Sequence, residues 1–173
     1  MDQVTIRPAA GEAGDFHFRY IALVPDGDIR QILQDQLTEA LSAFDRISAE
    51  RSGHRYAPGK WSIREVVGHI SDTERVFAYR AMWFARGLEA ALPGFDQDIA
   101  AAAAGAHERS WRSLVDDFRS VRQATLTLFH NLPDQAWQRR GVASDNPITV
   151  RALAYVVAGH VRHHLTILRE RYA

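Results

Sequence analysis

Histidine is the residue type that could do chemistry in this sequence, because three of its eight histidines stand in one short segment near the C-terminus. His160 and His164 are four residues apart, so on a helix they share one face, with Cβ atoms about 5–6 Å apart. Apolar residues at helical spacing around them predict that this face is buried, with His163 toward its edge. Two buried imidazoles either bind one metal ion together or each donate a ring hydrogen to a backbone carbonyl. The pair favours the metal, because burying two polar rings without a shared partner is costly.

A third histidine could complete such a site. His69 lies in another helical segment, at the margin of its apolar stripe, where a ligand could reach inward while solvent still enters; the alternative is a partly exposed surface histidine. Three imidazoles and no thiolate would leave one coordination position open, as in catalytic zinc sites. Zinc, nickel, copper and iron all suit such a ligand set. Val161 follows His160, so the glutamate of the His-Glu-x-x-His metalloprotease pattern is absent.

Two further polar residues are weaker candidates. Asp72, one turn after His69, could orient an imidazole or contact bound water, with a solvated helix acid as the alternative. Arg80, three turns after His69, could meet an anionic substrate; the simpler expectation is a surface arginine paired with an acid such as Glu74 or Glu89.

Composition excludes several other classes of protein. The chain has 173 residues, enough for one domain with a sizeable core, and no cysteine, which excludes disulfide scaffolds and thiol catalysis. Its 21 basic and 21 acidic residues give no net charge, so neither nucleic acid nor an anionic membrane is an expected partner. Neither a secretory signal nor a membrane-spanning stretch is evident, so we expect a cytoplasmic protein.

The elements that must position these histidines are helices, because apolar residues recur at three- and four-residue steps. Four such segments occur: residues 29–50 with Asp28 as N-cap, residues 62–86 beginning with the Ser62/Glu65 capping box, residues 110–132, and residues 149–171 with Thr149 as N-cap. The third has a diffuse start in the preceding alanine run, with Gly105 as a possible kink. This pattern predicts an all-α protein, a four-helix bundle.

The rest of the chain carries weaker signals. Residues 1–27 are expected to form an N-terminal extension that packs irregularly on a bundle domain of residues 28–173. Strand signals are nearly absent, since beyond residue 25 there is neither sustained alternation nor an Asn-Gly or Asp-Gly turn.

The sequence resembles the DinB/YfiT superfamily over about residues 28–173. The likeness rests on three segments in the right order: PGKWSIREVVGH at residues 58–69, DTER at residues 72–75 and AGHVRHHL at residues 158–165. It implies a four-helix bundle with a divalent metal, usually nickel or zinc, held by His69, His160 and His164, while His163 does not bind. Members often have an acidic residue directly after the first histidine of the last helix, where this chain has Val161.

The resemblance also implies an activity. Similar proteins include thiol-dependent S-transferases and mycothiol-dependent maleylpyruvate isomerases, so we expect an enzyme that acts on a small-molecule substrate by S-transfer or metal-assisted hydrolysis. Since the chain has no cysteine, a thiol would have to be a low-molecular-weight cosubstrate.

Two other functions compete with this one. The first is a non-catalytic bundle, plausibly a homodimer, that binds metal or a small ligand for stability or sensing; a fourth ligand such as Asp72 would favour it. The second, binding to DNA, is suggested by the superfamily name alone, and the zero net charge argues against it.

Overall fold

The computed structural model describes residues 3–172, and its long elements are helices. In chain order the elements are α1 (Asp15–Ile21), α2 (Ile29–Asp45), α3 (Ile63–Ala85), α4 (Gln97–Ala103), α5 (Trp111–His130), β1 (Arg140–Ala143), β2 (Asn146–Thr149) and α6 (Val150–Arg171). Short 3-10 turns lie at Gln3–Thr5, Arg51–Gly53 and Asp134–Ala136. The four long helices α2, α3, α5 and α6 form the bundle, so the predicted fold is confirmed. No helix among residues 3–172 combines the length and apolar character that crossing a membrane requires.

Local side-chain caps determine where the long helices begin. Ser62 accepts a hydrogen bond from the Glu65 amide, and the Glu65 carboxylate accepts one from the Ser62 amide, which completes the predicted capping box of α3. Asp28 caps α2, Ser110 caps α5 and Thr149 caps α6, each by accepting a bond from a first-turn amide.

Helix α6 is the central element of the fold. All twelve residues from Val150 to Val161 are buried, so this half of the helix is covered on every side rather than along one stripe. Its neighbours are α2 and α3 of the bundle and, on the remaining side, α1 from the N-terminal segment. At Gly159 a Cβ would lie 2.1 Å from the carbonyl oxygen of Tyr20, so the glycine allows α1 to approach this closely. The N-terminal extension therefore includes a regular helix that contacts the core.

A buried polar network joins the four bundle helices. Arg122 on α5 forms a two-point ion pair with Glu74 on α3, at 2.7 and 2.9 Å, and both side chains are at most 1% exposed. Arg122 also donates to the Gln36 side chain on α2, and Gln36 in turn donates to the carbonyl of Ala158 on α6. Because these bonds join α3 and α6 through α5 and α2, they fix the relative position of the two helices that carry the histidines. Glu74 and Ala158 are also close in sequence to His69 and His160.

Two connections differ from the prediction. Strands β1 and β2 form an antiparallel hairpin, so the expectation of a chain without strands beyond residue 25 is wrong. Its two-residue turn, Ser144 and Asp145, has positive φ at both positions, as a type I′ turn requires, without the glycine that usually marks one. The alanine run forms a separate short helix, α4, which ends before Gly105, where φ is +60°.

Candidate metal centre

The three predicted histidines meet in the interior, between α3 and α6. Their side chains belong to residues that are 4%, 4% and 9% exposed, for His69, His160 and His164 respectively. The Nε2 atom of His160 lies 3.1 Å from Nε2 of His69 and 3.1 Å from Nε2 of His164. Among residues 3–172 these three are the group of potential ligands whose donor atoms all lie within 4.8 Å of one another.

This spacing fits a shared metal ion. Two nitrogens bound roughly 2.0–2.1 Å from one ion are about 3.3 Å apart in a tetrahedral site and about 2.9 Å apart in an octahedral one. The observed 3.1 Å falls between these values. Hydrogen bonding alone does not explain the cluster, because a neutral imidazole nitrogen carries either one hydrogen or one lone pair. His160 Nε2 can therefore form one well-aligned bond to a neighbouring nitrogen but not two, whereas a cation would use all three lone pairs.

The buried environment favours the neutral, metal-binding form of each ring. Burial, together with the nearby His163, lowers the pKa of His69 to about 4. Burial, together with His69 and His163, lowers the pKa of His164 to about 3. Burial and the surrounding histidines also hold the pKa of His160 well below its ordinary value. At neutral pH each ring is therefore uncharged, and its Nε2 offers a lone pair when the ring hydrogen is on Nδ1.

One hydroxyl group orients a ligand ring. Thr73 Oγ1 lies 3.2 Å from Nδ1 of His69, one turn along α3. When Nε2 faces a metal, Nδ1 carries the hydrogen and donates it to this hydroxyl, which fixes the tautomer and the ring orientation. Val161, directly after His160, is 1% exposed, so this position beside the ligand is apolar and buried. The role of Thr73 was not predicted, although its spacing from His69 could have indicated it.

Aromatic rings enclose the three histidines. The ring of Trp61, just before the N-cap of α3, lies 4.8 Å from that of His69. The rings of Tyr20 on α1 and Phe77 on α3 approach His160 edge-on, at 5.5 and 6.0 Å. Neither Trp61 nor Tyr20 was predicted from the sequence to have a place at the site.

Two clefts reach the cluster, one at His164 and one at His160. The His164 cleft, about 280 Å³, is lined by Tyr56, Lys60, Trp61, Asp98, His164 and Tyr172. The His160 cleft, about 300 Å³, is lined by His17, Tyr20, Phe77, Arg80, Asn146 and His160. Gln97, the first residue of α4, borders both clefts. A small molecule could therefore approach two of the three ligands without unfolding of the bundle.

The weaker candidates lie in different surroundings. Asp72 forms a partly exposed ion pair with Arg75, and its carboxylate is outside the group of converging ligand atoms. The expectation that Arg80 is a surface arginine paired with Glu74 or Glu89 is wrong, because Arg80 is only 6% exposed and Glu74 pairs with Arg122. Arg80 is buried because the hairpin and the segment after α3 cover it: its Nη2 donates to the carbonyl of Pro93 and to Oγ of Ser144, both at 2.9 Å.

Comparison with known proteins assigns the family. No curated protein matches the chain in a sequence comparison. Among solved structures, the chain is similar to YfiT from Bacillus subtilis, described as a probable metal-dependent hydrolase with an unusual four-helix bundle topology. The TM-score is 0.72 over 98% of this chain and 95% of that one, at 15% sequence identity, so the likeness concerns the fold. The sequence model of the DinB superfamily matches residues 32–168, which include all three histidines, and the chain therefore belongs to the DinB superfamily.

Proposed function

We propose that this protein is an enzyme that depends on a divalent metal ion, held by His69, His160 and His164, and that it acts on a small molecule. The observation that carries the proposal is the convergence of three buried Nε2 atoms beside two clefts. A divalent ion bound there would act as a Lewis acid and lower the pKa of a water or thiol in its open coordination position.

The residues of the chain have separate tasks in this scheme. The three histidines hold the ion as neutral ligands, and Thr73 keeps the His69 ring in the required tautomer. The rings of Trp61 and Phe77 form apolar walls of the two clefts beside His69 and His160, which limits the water at the site and strengthens electrostatic interactions inside it. The clefts admit the substrate and, for S-transfer, a low-molecular-weight thiol, since the chain has no cysteine of its own.

The choice between hydrolysis and S-transfer depends on what occupies the open position. The solved relative is described as a probable metal-dependent hydrolase, which supports the hydrolytic reaction. The superfamily that the motifs resemble includes thiol-dependent S-transferases, which supports S-transfer. We propose hydrolysis first, with zinc or nickel as the ion, and keep S-transfer as the direct competitor in the assay.

A non-catalytic metal-binding role is less well supported. A structural zinc site usually has four protein ligands, and the described residues bring together three. Asp72, the candidate fourth ligand, is instead paired with Arg75. The expected homodimer and the cytoplasmic location stay predictions.

The first experiment measures metal content of the untagged protein by elemental analysis, with the His160→Ala and His163→Ala variants beside it. We expect close to one ion per chain in the wild type and in His163→Ala, and almost none in His160→Ala. His163 is the matched control, because it is a neighbouring histidine on α6 that is outside the ligand group. Wild-type protein that binds neither zinc nor nickel, or equal metal in both variants, would overturn the proposed site.

The second experiment tests the reaction. Metal-loaded protein is incubated with a panel of esters, amides and alkyl electrophiles, each with and without a low-molecular-weight thiol. Turnover without thiol that disappears in His160→Ala supports hydrolysis, and thiol-dependent turnover with the same loss supports S-transfer. Full metal loading with no turnover in either arm would favour the non-catalytic role.

A further inference from the structure

The His160 cleft contains a buried positive charge without a carboxylate partner. Three arginines of the described chain are at least nine-tenths buried: Arg80, Arg122 and Arg151. Arg122 pairs with Glu74 and Arg151 pairs with Glu12, both through carboxylate oxygens. Arg80 has only neutral acceptors, the Pro93 carbonyl and the Ser144 hydroxyl, and no acid of residues 3–172 forms an ion pair with it.

This difference has an energetic consequence. A buried charge is costly unless a counter-charge or several hydrogen bonds compensate it, and burial lowers the pKa of Arg80, as expected for a group that is poorly solvated. Its two bonds come from Nη2, so the rest of the planar guanidinium remains available to a ligand in the cleft. The Nε and Nη1 hydrogens that remain can each donate to a carboxylate oxygen, and a hydrogen bond between two charged groups is stronger than a neutral one.

A second polar group points to the same ligand. His17 on α1 lines the cleft, is 7% exposed, and its buried Nδ1 has no hydrogen-bond partner among the described residues. Buried polar atoms are normally paired, so an unpaired one beside a cleft is a hydrogen-bonding group that the described residues leave unused. Burial, and to a smaller extent the charge of Arg80, lower the pKa of His17, which keeps the ring neutral at pH 7. The neutral ring can donate to an anion without adding a second buried charge.

Aromatic side chains line the part of the cleft that leads from Arg80 to the metal centre. Arg80 and Phe77 are neighbours on α3, with the guanidinium carbon 6.0 Å from the ring centroid, and Phe77 in turn contacts the ring of His160. Tyr20 also contacts the ring of this histidine. The cleft thus offers an anion site at one end, an aromatic surface in the middle and a metal ligand at the other end.

We infer that the His160 cleft is the substrate site and that it selects small organic acids, whose carboxylate binds Arg80 beside His17 while the apolar body lies along Phe77 toward the three histidines. This inference deepens the proposed function, on which it rests for the role of the cleft in catalysis. Phosphate-bearing compounds share the anion chemistry and are separated from carboxylates in the test.

The test is a ¹⁹F NMR titration of the full-length protein with 4-fluorophenylacetate, its neutral amide, and 4-fluorobenzylphosphonate. We expect the carboxylate to bind at least about tenfold more tightly than the amide, because hydrogen bonds to a charged partner are the stronger ones. This preference should disappear in Arg80→Met and persist in Arg86→Met, which removes a positive charge from the exposed end of the same helix. Tighter binding of the phosphonate than of the carboxylate would overturn the assignment to organic acids.

A second variant covers the case in which Arg80→Met does not fold. Val76 lines the cleft and is half-buried, so Val76→Trp fills the cleft and leaves Arg80 in place. All probes should lose binding in Val76→Trp, with an unchanged circular dichroism spectrum. Equal binding of carboxylate and amide to the wild type, or a preference that survives in Arg80→Met or Val76→Trp, would overturn the inference.

The same titration separates this inference from the proposed function. It is run on the protein as purified and again after treatment with a chelator. A preference for the carboxylate that depends on Arg80 in both samples supports the anion site, whether or not the metal proposal holds. Metal loading with no such preference would refute the anion site alone.

Discussion

Removal of the Glu74 carboxylate should destabilise the bundle much more than removal of a surface acid. Glu74 accepts two hydrogen bonds from Arg122, at 2.7 and 2.9 Å, and the two side chains are 1% and 0% exposed. In Glu74→Leu the guanidinium stays buried and keeps only its bonds to the Leu33 carbonyl and the Gln36 side chain. An uncompensated buried charge of this kind costs about 3–5 kcal/mol of unfolding free energy.

Urea denaturation measures this loss of unfolding free energy, and thermal denaturation measures the accompanying fall in melting temperature. A loss of about 3–5 kcal/mol lowers the melting temperature of a chain of this length by roughly 6–20 °C. Asp116→Leu is the matched control, because Asp116 pairs with the exposed Arg112 and with Arg119 on the surface of α5. Exposed pairs contribute about 0–1 kcal/mol, so this variant should unfold close to the wild type.

A double-mutant cycle isolates the ion pair from packing. Arg122→Met combined with Glu74→Leu removes both charges, so the double variant should be more stable than the sum of the single losses by at least about 2 kcal/mol. Measured additivity, or a loss below about 1 kcal/mol for Glu74→Leu, would refute the view that this pair compensates buried charge.

Three further predictions concern the site and its supports. Gly159→Ala should lower the unfolding free energy by roughly 1–3 kcal/mol, because the new Cβ would lie 2.1 Å from the Tyr20 carbonyl oxygen. Gly68→Ala should raise the unfolding free energy by up to about 1 kcal/mol, because the nearest atom to its Cβ is 3.7 Å away and alanine favours a helix. Urea denaturation measures both changes. Thr73→Val should weaken zinc binding about 10- to 100-fold in a chelator competition, because the His69 ring loses its hydrogen-bond partner. The metal-free protein should lose stability as the pH falls from 6.5 toward 4, because the histidines bind protons in the unfolded chain but not when they are buried in the folded one. For His69, whose pKa is lowered from 6.5 to about 4, the loss of unfolding free energy amounts to about 3 kcal/mol. Urea denaturation at a series of pH values measures it.

Each of these three predictions has a control variant. Thr125→Val removes a buried hydroxyl on α5, which bonds the Val121 carbonyl, and should leave zinc affinity unchanged. Equal losses in Thr73→Val and Thr125→Val would contradict the role of Thr73. In His69→Asn the stability of the metal-free protein should depend less on pH between 4 and 6.5, and an unchanged slope would contradict the linkage. Equal effects of alanine at both glycines would contradict the close approach of α1.

Much of the bundle could be predicted from neighbouring residues. Helix starts depend on a side chain and the amides two or three residues later, which is why Ser62 with Glu65, and Thr149, correctly marked α3 and α6. The shared face of His160 and His164 also follows from helical spacing alone. The C-terminal ends of the helices were predicted less accurately: the predicted first helix continued to residue 50, whereas α2 ends at Asp45.

The hairpin and the short helix α1 depended on contacts that the sequence pattern does not display. The Ser144–Asp145 turn has no glycine. Leu92, some fifty residues earlier in the chain, supports the hairpin from outside: its amide donates to the Val142 carbonyl, and its carbonyl accepts from the Ser144 amide. Helix α1 has seven residues, too few to be stable alone, and it is held against α6 through the space left at Gly159.

Periodicity, caps and the i, i+4 spacing of His160 and His164 are local properties of the chain, and they were sufficient to predict the helical fold and two of the three candidate ligands. Only the tertiary structure brought His69 within 3.1 Å of His160, 91 residues away, and buried Arg80 beneath the hairpin without a carboxylate. It also paired Glu74 with Arg122 rather than with Arg80. These ion pairs form between residues on different helices, so they depend on how the helices pack. The spacing of residues along one helix does not predict them.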